Sequence, residues 1–173
     1  MSSEESGKER YIPFIGRIMD YVGRSPLDFY SWGHIAFGIG AFSIFSLIIT
    51  IFELIFSTTA VMPWWWIMTF VIAVGIGWEV IENTILWKLG VKFENRRDSF
   101  VNAFFDVIFV ILGGLATWLL KWIIMDVMGE FGRWFYISAL VLFVIILIAY
   151  FIGFYITNEE TKKARKDLGK LIS

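Results

Sequence analysis

Cysteine is absent from the 173 residues, which excludes a disulfide scaffold, thiolate metal sites and a cysteine nucleophile. Histidine occurs once and proline three times, so neither a histidine-rich metal tract nor a proline-rich linker is present. Charge is scarce as well: 18% of residues are charged, against about 25% in ordinary soluble domains. The net charge of −1 leaves no basic field to hold nucleic acid. What fills the chain instead is apolar. Hydrophobic residues make up 58% and aromatic residues 19%, with eighteen Phe and nine Trp. Intrinsic disorder is excluded by that composition, and so is a globule that must cover its surface with charge.

Four stretches match the roughly 20 apolar residues that a helix needs to cross a bilayer: 31–56, 61–87, 99–124 and 134–157. They are continuous runs, unlike the short alternating segments of a β-barrel. The expected fold is an all-α membrane protein, a four-transmembrane-helix bundle with an N-terminal interfacial amphipathic helix. That helix is expected over Tyr11–Gly23, where Tyr11, Phe14, Ile15, Ile18 and Val22 share a face and Arg17, Asp20 and Arg24 fall elsewhere. The chain divides into an N-terminal segment (1–30), the bundle (31–157) and a basic tail (158–173). The first ten residues are polar and acidic, so no secretory signal peptide is expected.

Lys and Arg set the orientation. Thirteen of the fifteen lie in the N-terminal segment, the second loop (Lys88, Lys92, Arg96, Arg97) and the tail; Lys121 and Arg133 alone lie on the other side. The expectation is a plasma (inner) membrane protein, multi-pass, with both termini cytoplasmic. Pro63-Trp64-Trp65-Trp66 and Trp134-Phe135-Tyr136 read as aromatic belts at the outer interface, a carbohydrate platform being the second reading.

Ionisable groups inside spans are costly and point to function. Glu53 and Lys121 lie near the outer ends, where they can snorkel. The others converge in depth: His34 one turn into span one with Asp28 just before it, Glu79 and Glu82 in the last turns of span two, and Asp98, Asn102 and Asp106 along the first ~12 Å of span three. Spacing also aligns them. Glu79, Glu82 and Asn83 share one helical stripe; Asp98, Asn102 and Asp106 run i, i+4, i+8. Gly38, Gly75 and Gly113 continue these stripes and allow close helix approach.

The inner acids outnumber any cation beside them. Arg96 and Arg97 folding back, protonated carboxyls, or a divalent cation (Mg, Mn, Ca or Zn) on Glu79, Glu82, Asp98, Asp106 and His34 would each balance them. Glu79, Glu82, Asp106 and His34 are the candidate catalytic groups. Arg96, Arg97, Asn83 and Asn102 are candidates for binding substrate, Arg96 and Arg97 at anionic head groups. The bland reading is a satisfied polar knot that only fixes helix packing.

Trp78-Glu79-Val80-Ile81-Glu82-Asn83-Thr84, followed by Asp98-Ser99-x-x-Asn102-x-x-x-Asp106, resembles an uncharacterised family of small bacterial inner-membrane proteins. More broadly, Asp28-x5-His34-x3-Gly38 and Asp98…Asn102…Gly113 are similar to the VanZ-like membrane proteins, over roughly residues 28–117. The family commonly has Glu-x-x-Gln where this chain has Glu79-x-x-Glu82. The resemblance implies the residue list and an association with resistance to a lipid-anchored glycopeptide antibiotic, but no reaction. Three functions follow as expectations: a metal-dependent enzyme on lipid or polyprenyl-phosphate head groups; a proton- or cation-coupled transporter or channel, which with four spans needs a homo-oligomer; and a non-catalytic scaffold or lipid-binding protein. Membrane lipids are the expected partners in each.

Overall fold

A computed structural model describes residues 12–57, 62–92, 95–130 and 132–172. Lys8, Arg10, Tyr11 and Val61, which carry part of the expectations above, lie outside them. Four helices run up and down: α1 (Phe29–Phe56), α2 (Trp64–Ile81), α3 (Phe100–Lys121) and α4 (Gly132–Ile172). Helices α2 and α3 extend through π-helical turns at Glu82–Leu86 and Trp122–Val127. Each of the four is long and apolar enough to cross a membrane, and their outward surfaces are lined with exposed Leu, Ile, Val, Phe and Trp. A soluble protein would hide such residues; lipid is the solvent that tolerates them. The chain is thus a multi-pass membrane protein with a four-helix bundle. Helix α4 does not stop at Thr157 but continues as one helix through the charged tail.

The starts of α1 and α3 and the ends of α2 and α4 lie together at one end of the bundle, called here the basic end. Helix α1 is the centre, packing on all three others. Its closest approach is to α3: a Cβ at Gly38 would run into the Val110 carbonyl oxygen, and one at Gly113 into that of Ile35. The two glycines therefore let the backbones touch, as their positions in the polar stripes predict. Gly75 faces the Val110 side chain in the same way. Toward the far end the interior is apolar, built on Phe42, Ile67, Val71, Val110, Phe135 and Ala139. Phe135 is 1% exposed, so it belongs to this core and not to the aromatic belt. Trp64, Trp65, Trp66 and Trp134 stay partly exposed, with Trp64 stacked on Trp118 at 4.1 Å.

The N-terminal segment departs from expectation. Over the described residues 12–28 it is not an amphipathic helix but a folded strap with a single 3-10 turn at Met19–Tyr21. Apolar periodicity predicts helix only where backbone groups have no better partners. Here they do. Gly16 N–H donates to the Leu27 carbonyl and Leu27 N–H to that of Phe14. Met19 N–H donates to Thr161 Oγ1 at 2.9 Å, and the carbonyls of Met19 and Val22 accept from Arg96. Gly23, at φ 73°, turns the strap back beneath α1.

Candidate functional site

Each group at the basic end is positioned by a local feature. Asp28 caps α1, its carboxylate accepting from Tyr30 N at 2.8 Å and from Gly23 N at 2.8 Å, while Ser31 Oγ accepts from Asp28 N. This capping box fixes the helix start, which sets His34 less than two turns further in. Asp28 lies below the spans; burial pushes its carboxyl above the ordinary range, against the pull of its hydrogen bonds to Gly23 and Tyr30. Ser99 caps α3 by accepting from Asn102 N. On the same helix Asn102, fully buried, donates to the Ser25 carbonyl at 2.8 Å, tying the strap to α3. The π turn at Glu82–Leu86 widens the end of α2 where Glu82 and Asn83 sit. Such turns recur at functional sites because they re-aim side chains.

Around these supports the acids and the histidine meet. His34 Nε2 lies 3.0 Å from Glu79 Oε1, and His34 Nδ1 lies 3.4 Å from Asp106 Oδ1. One atom of each of His34, Glu79 and Glu82 falls within 4.8 Å of the others. His34 Nδ1 is also 3.0 Å from the Tyr30 carbonyl oxygen, which only accepts. The hydrogen on this imidazole is therefore assigned to Nδ1. That leaves the lone pair of Nε2 facing a carboxylate oxygen, acceptor against acceptor. His34 Nε2, Glu79 Oε1 and Asp106 Oδ1 are all buried and have no hydrogen-bond partner in line. Two ligands bound to one ion at about 2.0–2.2 Å and near-tetrahedral angles stand roughly 3.3–3.6 Å apart, a little more than the 3.0 Å seen here, which is also the length of an N–H···O hydrogen bond. Only a proton or a cation between them relieves the pair.

Lys92 is the counter-ion that the sequence concealed. It is 8% exposed, donates to Asn83 Oδ1 at 2.8 Å, pairs with Asp98 and lies 3.6 Å from Glu82. Asp98 N–H also donates to Asn83 Oδ1, at 2.8 Å, and Asn83 Nδ2 donates to Glu79 Oε2 at 3.2 Å. Asp98 is thus held by Lys92 and stands outside the His34–Glu79–Glu82 group. Of the three ways to balance the acids, Arg96 and Arg97 folding back onto them is not the one seen. Arg96 spends its guanidinium on the strap carbonyls, and Arg97 lies over the Trp87 ring at 3.9 Å. Distance along the chain favoured neither Lys92 nor the arginines. The loop geometry chose, because Lys92 leaves the chain just past the π turn.

The polar groups surround a cavity of about 10 Å³, bordered by His34, Glu82, Lys92, Arg96, Asn102 and Asp106 among others. That volume suits one water or ion. Two contributors had no distinct signal in the sequence. Thr161 and Tyr150 come from α4, which carries no charge within its span, and they reach the strap and the Tyr30 ring.

Fold and site together define a membrane-embedded carboxylate–histidine centre. Compared with family models, with curated proteins and with solved structures, the chain finds no match.

Proposed function

We propose that the protein is an enzyme of the cytoplasmic leaflet acting on the head group of a lipid or polyprenyl phosphate, with a divalent cation held by His34, Glu79 and Glu82 and with Asp106 beside them. One observation carries this reading: three buried polar atoms, His34 Nε2, Glu79 Oε1 and Asp106 Oδ1, converge without hydrogen-bond partners. A knot built only for packing would hold a proton between His34 Nε2 and Glu79 Oε1, and metal content separates that case from a bound cation. When bound, the cation activates a water or polarises a phosphoryl oxygen. The chain's own groups do the rest. Tyr30 O fixes the imidazole, Asn83 holds the second oxygen of Glu79, and Lys92, 3.6 Å from Glu82, is the fixed cation nearest to a phosphate at the edge of the cavity. Asp106, buried at the far wall, is the group to exchange a proton with the reacting water. Membership of the VanZ-like proteins is part of the same proposal; the residues His34, Asp98 and Asn102 of that resemblance border one cavity.

Transport is the weaker reading, because the far half is closed by Phe42, Val71 and Val110, each 1% exposed or less. The test is Glu79→Gln, Glu82→Gln and Asp106→Asn in purified protein, with metal content and host lipid composition measured. Wild type is expected to carry a stoichiometric divalent cation that the three amides lose, with an altered lipid profile in the host. Unchanged metal content together with unchanged lipids would overturn the reading, and cation flux in liposomes abolished by Glu82→Gln would replace it with transport.

A further inference from the structure

The centre is closed toward the water side and open toward the bilayer. From the water side, an approach meets Lys92 tethered to Asn83, Asp98 and Glu82, and Arg96 locked on the strap. From the membrane side the arrangement differs. Helices α2 and α4 both pack on α1 but, among the described residues, their backbones do not approach each other. The gap is a groove of about 290 Å³ lined by Gly33, Phe37, Trp78, Leu147 and Tyr150. It ends at Tyr30, His34 and Glu82, the three residues that it shares with the small cavity. The missing side chain of Gly33 keeps it open: a Cβ there would already touch the Tyr150 ring at 3.4 Å.

We propose that this groove admits one hydrocarbon chain of a phosphate-headed lipid sideways from the bilayer, so that the head group meets Glu82 and His34 without passing the Lys92 and Arg96 locks. The inference rests on the lipid-phosphate reading above and adds the route and the part of the substrate that is recognised. A chain lying in the groove exchanges lipid neighbours for Phe, Leu and Trp of equal polarity, so the groove neither attracts nor repels it. Selection falls to the polar end. The groove's work is geometric: it lets an amphipath slide in with its chain still in an apolar medium, where the outward face of a continuous helix wall would hold the head group away.

The experiment uses the full chain in phosphatidylcholine vesicles doped with phosphatidic acid that carries a diazirine near the head-group end of one acyl chain. Photolabelled peptides are expected to concentrate around Phe37 and Leu147. Leu147→Trp and, independently, Gly33→Leu are each expected to lower that labelling about tenfold, equivalent to about 1.4 kcal/mol. Ile145→Trp, on the exposed face of α4, is expected to leave it unchanged. A phosphatidylcholine probe with the same chain is expected to label the groove about tenfold less. Labelling spread evenly over the bundle, indifference to both filling substitutions, equal labelling by the two probes, or a crosslink to a second copy would each overturn the proposal. Cation content measured on the same samples keeps the two readings apart. Leu147→Trp that retains its cation but loses labelling supports the groove. Wild type that labels in the groove without any cation keeps the groove and removes the metal site.

Discussion

The two ends of the bundle are held together by different physics. At the far end the helices meet through Phe42, Val71, Phe135 and Ala139, and the polar contact between Thr50 and Tyr136, 3.2 Å apart, is exposed. At the basic end buried side chains are bound to one another and to a strap that is not helical. Lipid is as apolar as the far-end core, so packing there gains only van der Waals contact and shape. Groups at the basic end have no such substitute in the bilayer, and losing one partner strands another. The polar end is therefore expected to be the sensitive one, although it contributes fewer contacts of the kind that usually define a core.

Substitutions can break that contrast, and the largest effect is expected at Lys92. Lys92→Met leaves the half-buried Asp98 and Glu82 without their cation, which is itself buried, and should cost about 3 kcal/mol or more, read as the shift in an SDS unfolding titration of protein in mixed micelles. Adding Asp98→Asn should recover part of the loss, and a loss below that of any core truncation would dissolve the contrast. Next comes the crossing of α1 and α3. Gly113→Val pushes a side chain into the Ile35 carbonyl and should cost about 3 kcal/mol in the same titration, with displacement of His34 seen as loss of bound cation.

The far end should respond less. Phe42→Ala removes a fully buried ring, but the unfolded reference is also in lipid, so mainly the cavity cost remains, about 2 kcal/mol. Differential scanning calorimetry of the reconstituted variant checks this, and a value above that for Lys92→Met would reverse the ranking. Smallest of all is Thr50→Val, expected to cost about 0.6 kcal/mol, the average for a hydrogen bond between membrane helices. A thermal midpoint indistinguishable from wild type within a degree or two fits that size, whereas a large drop would reveal a far-end polar site.

Much of the bundle was legible because bilayer thickness leaves so few solutions. Uninterrupted apolar runs become helices, and helical spacing put Glu79 with Asn83 and His34 with Gly38 on common faces. Of the groups matched in depth, His34 meets Glu79 and Asp106 and has Glu82 within 4.8 Å, whereas Asp98 pairs with Lys92 instead. The strap was misread for a physical reason: its apolar spacing fits a helix, but its N–H and carbonyl groups find partners in Leu27, Thr161 and Arg96 that lie up to 142 residues away. Lys92 was hidden for a similar reason. A lysine in a basic loop marks topology whether or not it turns inward, and the turn depends on the π-helical end of α2.

Hydrophobicity and helical period alone fix the class of protein, the number of spans and which helices carry acid. Which cation answers the acids, that Asp98 belongs to Lys92 while Glu79 faces His34, and that α2 and α4 part to leave a groove are settled by packing. Those outcomes depend on angles and loop paths that no local pattern encodes. An electrostatic partner is chosen by a few ångströms, and a few ångströms are set only when all four helices have packed.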